Sequence, residues 1–154
     1  MNWSFGAMKK QLPLLLILTV CAVSFDFLFS RLTINITESN PYSLFWIGGT
    51  TFKKGGYVMF ELENSKLTKP LVKAVGCISG DTLQSRGIHF YCNGESLAMA
   101  TIDNNDNPDL IPATFNGEIP EGYFFALGTH PLSYDSRYFG LVPVKNTQPV
   151  IPIF

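Results

Sequence analysis

Ser39 lies in the run Thr37-Glu38-Ser39-Asn40-Pro41, where an alternating apolar and polar stretch that begins at Leu32 meets a proline. Pro41 has no backbone donor and ends regular pairing, so Ser39 is expected at a strand-to-loop transition, where a side chain can face a cleft. That placement fits a nucleophile, and it equally fits an ordinary turn serine. Lys73 stands in the mostly apolar stretch Lys73-Ala74-Val75-Gly76-Cys77-Ile78, which ends on the turn signal Ser79-Gly80-Asp81. An amine takes up a proton only when neutral, against an ordinary lysine pKa of about 10.4, and burial in an apolar strand is one way to lower that value. The bland alternative is a strand lysine whose amine reaches solvent. Ser133, Asp135 and Arg137 follow in the polar loop that Gly128-Thr129-His130-Pro131 opens, with Asp135 and Arg137 spaced to form an ion pair.

Other chemistries find less support. His130 has no nearby metal-ligating partner and His89 sits in an alternating strand, so no zinc site is expected. The acidic stretch from Asp103 to Asp109 lacks the glycine and closing glutamate of a calcium loop, and no Gly-rich phosphate loop occurs, so no cofactor is expected. A net charge of -1 offers no broad basic surface, which argues against a nucleic-acid partner. Of the three cysteines, Cys21 lies in an N-terminal apolar run, which leaves Cys77 and Cys92 as the pair able to form a disulfide in an oxidising compartment. Cys77 as a nucleophile lacks a histidine partner placed by the sequence.

The elements that position these residues are mostly strands. With 154 residues, 46% of them apolar and 14% aromatic, the chain supports one compact domain plus a short extra segment. Thirteen Gly and ten Pro separate short runs of Val, Ile, Phe and Tyr, the pattern of a mainly β fold. Leu32–Thr37 and Tyr57–Leu62 are expected as strands, as are the segments from Leu71 and Gly87 and the run Tyr123–Leu127. Asn93-Gly94 signals a hairpin after Cys92. Tyr42 to Ile47 reads either as a core strand or as an aromatic run resting at a bilayer interface.

Residues 11–29 form an apolar stretch near the ~20 residues needed to span a bilayer, and Lys9 and Lys10 before it predict residues 1–10 on the cytoplasmic side. Residues 32–154 would then lie on the periplasmic or outer face of the inner (cytoplasmic) membrane, with Asp26 marking where the hydrocarbon ends. A cleaved signal peptide ending near Ala22-Val23-Ser24 is the alternative. A lipoprotein fits less well, because Val20 stands before Cys21 where a small residue is needed.

Four segments in order carry a resemblance: Thr37–Pro41, Gly56–Phe60, Lys73–Asp81, and Pro120-x-Gly122 through Gly128 to Ser133-x-Asp135-Ser136-Arg137-x-x-Gly140. They resemble the signal peptidase I family of serine peptidases, in particular its conjugal-transfer, TraF-like branch that processes pilin precursors. Asn40, Ala74, Ser79, Thr129 and His130 depart from the family boxes and point to a specialised branch. The resemblance implies a signal-peptidase-like β domain of antiparallel sheets behind one N-terminal transmembrane helix. It implies Ser39 as nucleophile, Lys73 as general base, Ser133 orienting the Lys73 amine, and the Ser39 N–H with the Thr37 hydroxyl stabilising the oxyanion. Asp135 and Arg137 would hold the loop, with Asp135 a secondary candidate for a closer role. The implied partners are a membrane-bound, pilin-like precursor and the lipid bilayer, with either hydrolysis or cyclisation of the product. A non-catalytic assembly factor and a general signal peptidase are the competing functions.

Overall fold

The computed structural model describes residues 5–37, 39–62, 67, 69–102 and 110–154. The acidic stretch from Asp103 to Asp109 lies outside the described residues. The chain divides into two units, Met1–Thr33 and Ile34–Phe154.

The first unit is essentially helix α1, Phe5–Phe29. Within it Gln11–Phe29 has a mean hydropathy of 2.3, contains no buried residue, and is long and apolar enough to cross a membrane. The helix starts upstream of the apolar stretch, since Met8, Lys9, Lys10 and Gln11 are all favourable helix formers.

The second unit is built on antiparallel strands. After β1 (Leu32–Ile34) come β2 (Leu44–Ile47), β3 (Tyr57–Phe60), β4 (Leu71–Ile78), β5 (Thr82–Arg86) and β6 (His89–Cys92). Then follow β7 (Glu95–Met99), β8 (Asn116–Glu118), β9 (Tyr123–Leu127), the one-turn helix α2 (Ser136–Phe139), β10 (Val142–Pro143) and β11 (Thr147–Pro152). One sheet runs β1-β2-β11-β3-β4-β9-β10 and the other β7-β6-β5-β8. Asn93 and Gly94 have φ of 54° and 82°, so this two-residue loop between β6 and β7 has the positive φ that the tight hairpin needs.

β1 is shorter than the alternation suggests. The Asn35 side chain donates to Thr37 O at 3.0 Å and accepts from Thr37 Oγ1 at 2.8 Å, a local pairing that competes with the ladder and turns the chain. β2 answers the open question about the aromatic run: it pairs with β11, and Phe45 is fully buried in a small cluster with Val72 and Val150.

Strand β4 links two cores through a bulge. Its register against β9 shifts between Val75 and Cys77. Val75 packs with Val58, Phe60, Phe124 and Ala126, whereas Cys77 packs with Leu83, Phe90 and Phe125. A Cβ at position 76 would stand 2.7 Å from Leu127 Cδ1 and 3.3 Å from Phe125 O, so a side chain there would require Leu127 to shift. Beyond the bulge, the Cys77–Cys92 disulfide ties β4 of one sheet to β6 of the other.

Candidate active site

Three segments distant in sequence meet at Ser39. Its turn is held to β4 by Asn40, whose Nδ2 donates to Val72 O at 2.6 Å. On another side the Ser39 carbonyl accepts from the Thr129 N–H at 2.7 Å, so the loop after β9 grips the same turn. Ser39 is thereby buried to 5% exposure, a placement that strand periodicity did not require.

Lys73, on β4 opposite Val58, is 3% exposed and donates from Nζ to Ser133 Oγ at 2.7 Å. Burial removes water from the ammonium and lowers the Lys73 pKa from 10.5 to about 8; the Asp135 carboxylate opposes this, and the Arg137 guanidinium supports it. Thr37, Ser39, Lys73 and Ser133 line one cavity of about 330 Å³ together with His130 and the apolar side chains of Leu71 and Leu132. The sequence residues singled out for serine chemistry therefore converge on one cleft.

The hydroxyl network has a definite direction. Asn35 Nδ2 donates to Thr37 O, which leaves Asn35 Oδ1 to accept the Thr37 hydroxyl proton. With that proton committed, the 2.8 Å contact between Thr37 Oγ1 and Ser39 Oγ has Ser39 as donor. Ser39 thus points its proton to Thr37 and the amine of Lys73 rests on Ser133, with no direct Ser39–Lys73 hydrogen bond among the described residues. Proton transfer to Lys73 requires the Ser39 hydroxyl to turn, an adjustment that bound substrate commonly brings about.

The loop carrying Ser133 is fastened by a buried ion pair. Arg137 Nε and Nη2 donate to the two Asp135 oxygens at 2.8 and 2.7 Å. The remaining Arg137 donors reach the carbonyls of Met99, Pro131, His130 and Ser133. Asp135 also accepts from the backbone N–H groups of Arg137 and Gly128, at 3.1 and 2.8 Å, so both of its oxygens are fully engaged. The pair expected from their spacing forms in the interior and not at the surface: Asp135 is 0% and Arg137 3% exposed. Asp135 additionally caps α2, a one-turn helix too short to show as periodicity. Gly128 allows the loop to close on the site, because a Cβ there would overlap Ser133 Oγ and stand 2.8 Å from Ser39 O.

Sequence reasoning passed over Asn35 and treated His130 only as a failed metal ligand. His130 Nδ1 accepts from the Leu132 N–H at 3.1 Å, and the ring lines the cavity. Its place two residues after Gly128, in the loop that grips Ser39, was the available signal. Among the described residues the grouping with metal-ligating atoms is Cys77, Asp81 and Cys92, and two of these are joined in the disulfide.

Residues 8–150 match the family model described as signal peptidase, peptidase S26. The chain is 32% identical over 76 residues to the conjugal transfer protein TraF of Agrobacterium tumefaciens (strain 15955), covering 48% of this chain and 42% of that protein. It is 28% identical over 94 residues to signal peptidase I V of Bacillus subtilis (strain 168), covering 54% and 56%. The aligned segments thus span about half the length of the curated relatives. A signal peptidase I structure from Enterococcus faecalis V583 superposes with a TM-score of 0.46 at 26% identity, covering 66% of this chain and 97% of that one. Because the family match spans residues 8–150, nearly the whole chain, the chain belongs to the signal peptidase family, peptidase S26.

Proposed function

We propose that this protein is a membrane-anchored serine endopeptidase in which Ser39 attacks the scissile carbonyl and Lys73 takes the Ser39 proton. The observation that carries this reading is the buried Lys73 amine, with a pKa of about 8, in one cavity with Ser39 and Ser133. At pH 7 about a tenth of such a lysine is neutral, roughly two hundred times more than an exposed lysine provides. Ser133 holds the amine in place. The tetrahedral oxyanion is stabilised by the Ser39 N–H and by the Thr37 hydroxyl once it leaves Asn35. The lysine proton passes to the departing amine, leaving an ester on Ser39. Asp135 and Arg137 act by holding the Ser133 loop, since no Asp135 lone pair is left for the reaction.

The apolar helix α1 supports attachment to the membrane, and the charge of Lys9 and Lys10 supports a periplasmic catalytic unit. The substrate is then a membrane-bound precursor. The conjugal-transfer name of the Agrobacterium relative supports a pilin-like one. Water attacking the Ser39 ester yields a linear product, and attack by the product's own amino terminus yields a cyclic one.

The test co-expresses a pilin precursor with the wild type, Ser39→Ala and Lys73→Ala and measures the product mass. Loss of processing by about a thousandfold or more is expected for each variant. Normal processing by both would overturn the enzyme reading in favour of a binding scaffold. A product one water lighter than the linear mature peptide marks cyclisation.

A further inference from the structure

Hydrogen bonds join the side chains of every second residue from 35 to 39 in a row. Thr37 Oγ1 donates to Asn35 Oδ1 at 2.8 Å and lies 2.8 Å from Ser39 Oγ. Thr37 is exposed, and among the described residues these two contacts are what hold its hydroxyl. A surface threonine otherwise spreads over staggered rotamers, and each rotamer sends the hydroxyl in a different direction. The contact with Ser39 does not last through the reaction, because the Ser39 proton has to turn toward Lys73. Asn35 grips Thr37 at a second point, its Nδ2 donating to Thr37 O at 3.0 Å. Asn35 is itself anchored, since its backbone N–H donates to Ser43 O at 2.8 Å, and the Ser43 N–H donates to Phe154 O at 2.6 Å. A neutral amide oxygen accepts the Thr37 proton only weakly, so a developing oxyanion outcompetes it as a charge-assisted acceptor. The bond to the Thr37 carbonyl is untouched by that exchange.

We propose that Asn35 is a positioning residue, which grips Thr37 at both its carbonyl and its hydroxyl and so keeps Thr37 Oγ1 beside Ser39 Oγ, ready to donate to the oxyanion. Asn35 touches neither substrate nor the reacting atoms and acts through Thr37. Its effect on rate rests on the peptidase reading, whereas its hold on Thr37 is measured without turnover.

The experiment uses the full chain in detergent micelles. The kinetic arm is a double-mutant cycle on a fluorescence-quenched peptide that carries the cleavage junction of the pilin precursor. Asn35→Ala is expected to lower kcat by about tenfold with KM within about twofold, and Thr37→Val to lower kcat by about a hundredfold. Adding Asn35→Ala to Thr37→Val is expected to cost nothing further, because the residue through which Asn35 acts is already disabled. Loss of a merely structural contact would instead multiply with that of Thr37→Val, and such a result overturns the proposal, as does an unchanged or raised kcat in Asn35→Ala. The second arm labels the threonine methyl groups with carbon-13, assigns Thr37 by its disappearance in Thr37→Val, and reads its rotamer from couplings to the backbone. One rotamer is expected in wild type and an averaged value in Asn35→Ala; the same single rotamer in both overturns the proposal. If Asn35→Ala does not fold, Asn35→Ser, whose hydroxyl stops one bond short, replaces it in both arms. Should wild type cleave no peptide, the peptidase reading is the one weakened, and the rotamer arm still decides the role of Asn35.

Discussion

At the scale of single residues, the proposed chemistry turns on where two protons sit. Burial lowers the Lys73 pKa to about 8, so kcat/KM should rise with pH along an acid limb centred near 8. A limb centred near the ordinary lysine value would show that Lys73 is not the base. Lys73→Arg should leave activity as low as Lys73→Ala, because a guanidinium does not lose its proton in this range. The same shift has a stability consequence. Between about 8 and the unfolded value near 10.4 the unfolded chain holds more protons than the folded one, so stability rises with pH through that window. Below it the cost of burying the ammonium is fully present. Lys73→Met should therefore raise Tm relative to wild type more at pH 7 than at pH 10, and a pH-independent difference would contradict this. Ser39 and Lys73 were legible from the ordered motifs around them. The direction of the Asn35–Thr37–Ser39 hydrogen bonds was not, because it depends on which donor is already committed.

At the scale of elements, the site depends on how closely the loop after β9 approaches the Ser39 turn. Gly128→Ala would drive a methyl into Ser133 and the Ser39 carbonyl, and backbone on one side leaves little room to yield. Activity should fall by at least about a hundredfold, against a loss of stability of about 1–3 kcal/mol measured by denaturant unfolding. Unchanged turnover would mean that the loop is not held as described. Arg137→Ala removes the partner of a carboxylate with 0% exposure and strands several carbonyls, so a loss of about 3–5 kcal/mol is expected. A loss below about 1 kcal/mol would indicate an ion pair of the surface kind. The strands β3, β4 and β9 were legible because their apolar runs are bounded by turn residues. β1 ended early and α2 went unseen, since side chain–backbone bonds decide both and leave no periodicity.

For the whole molecule, the disulfide joins the strand that carries Lys73 to the second sheet. It closes a segment with a sequence separation of 15, for which about 3 kcal/mol of stabilisation is expected. Replacing Cys77 and Cys92 together by serine should lower Tm, and reductant should lower it for the wild type but not for the double variant. Equal thiol labelling of wild type with and without reductant would argue against the bond. The sequence by itself determined the mainly β class, the apolar N-terminal helix and the cysteine pair, and it singled out Thr37, Ser39, Lys73 and Ser133, which line the cleft, because each rests on local pattern or ordered motifs. The tertiary structure alone decided that Asp135 and Arg137 are buried, that Asn40 beside Ser39 is left with an unpaired oxygen, and that the Ser39 hydroxyl is hydrogen-bonded to Thr37. Burial and hydrogen-bond partnership are properties of groups that meet in space from distant segments, and no window along the chain contains both partners.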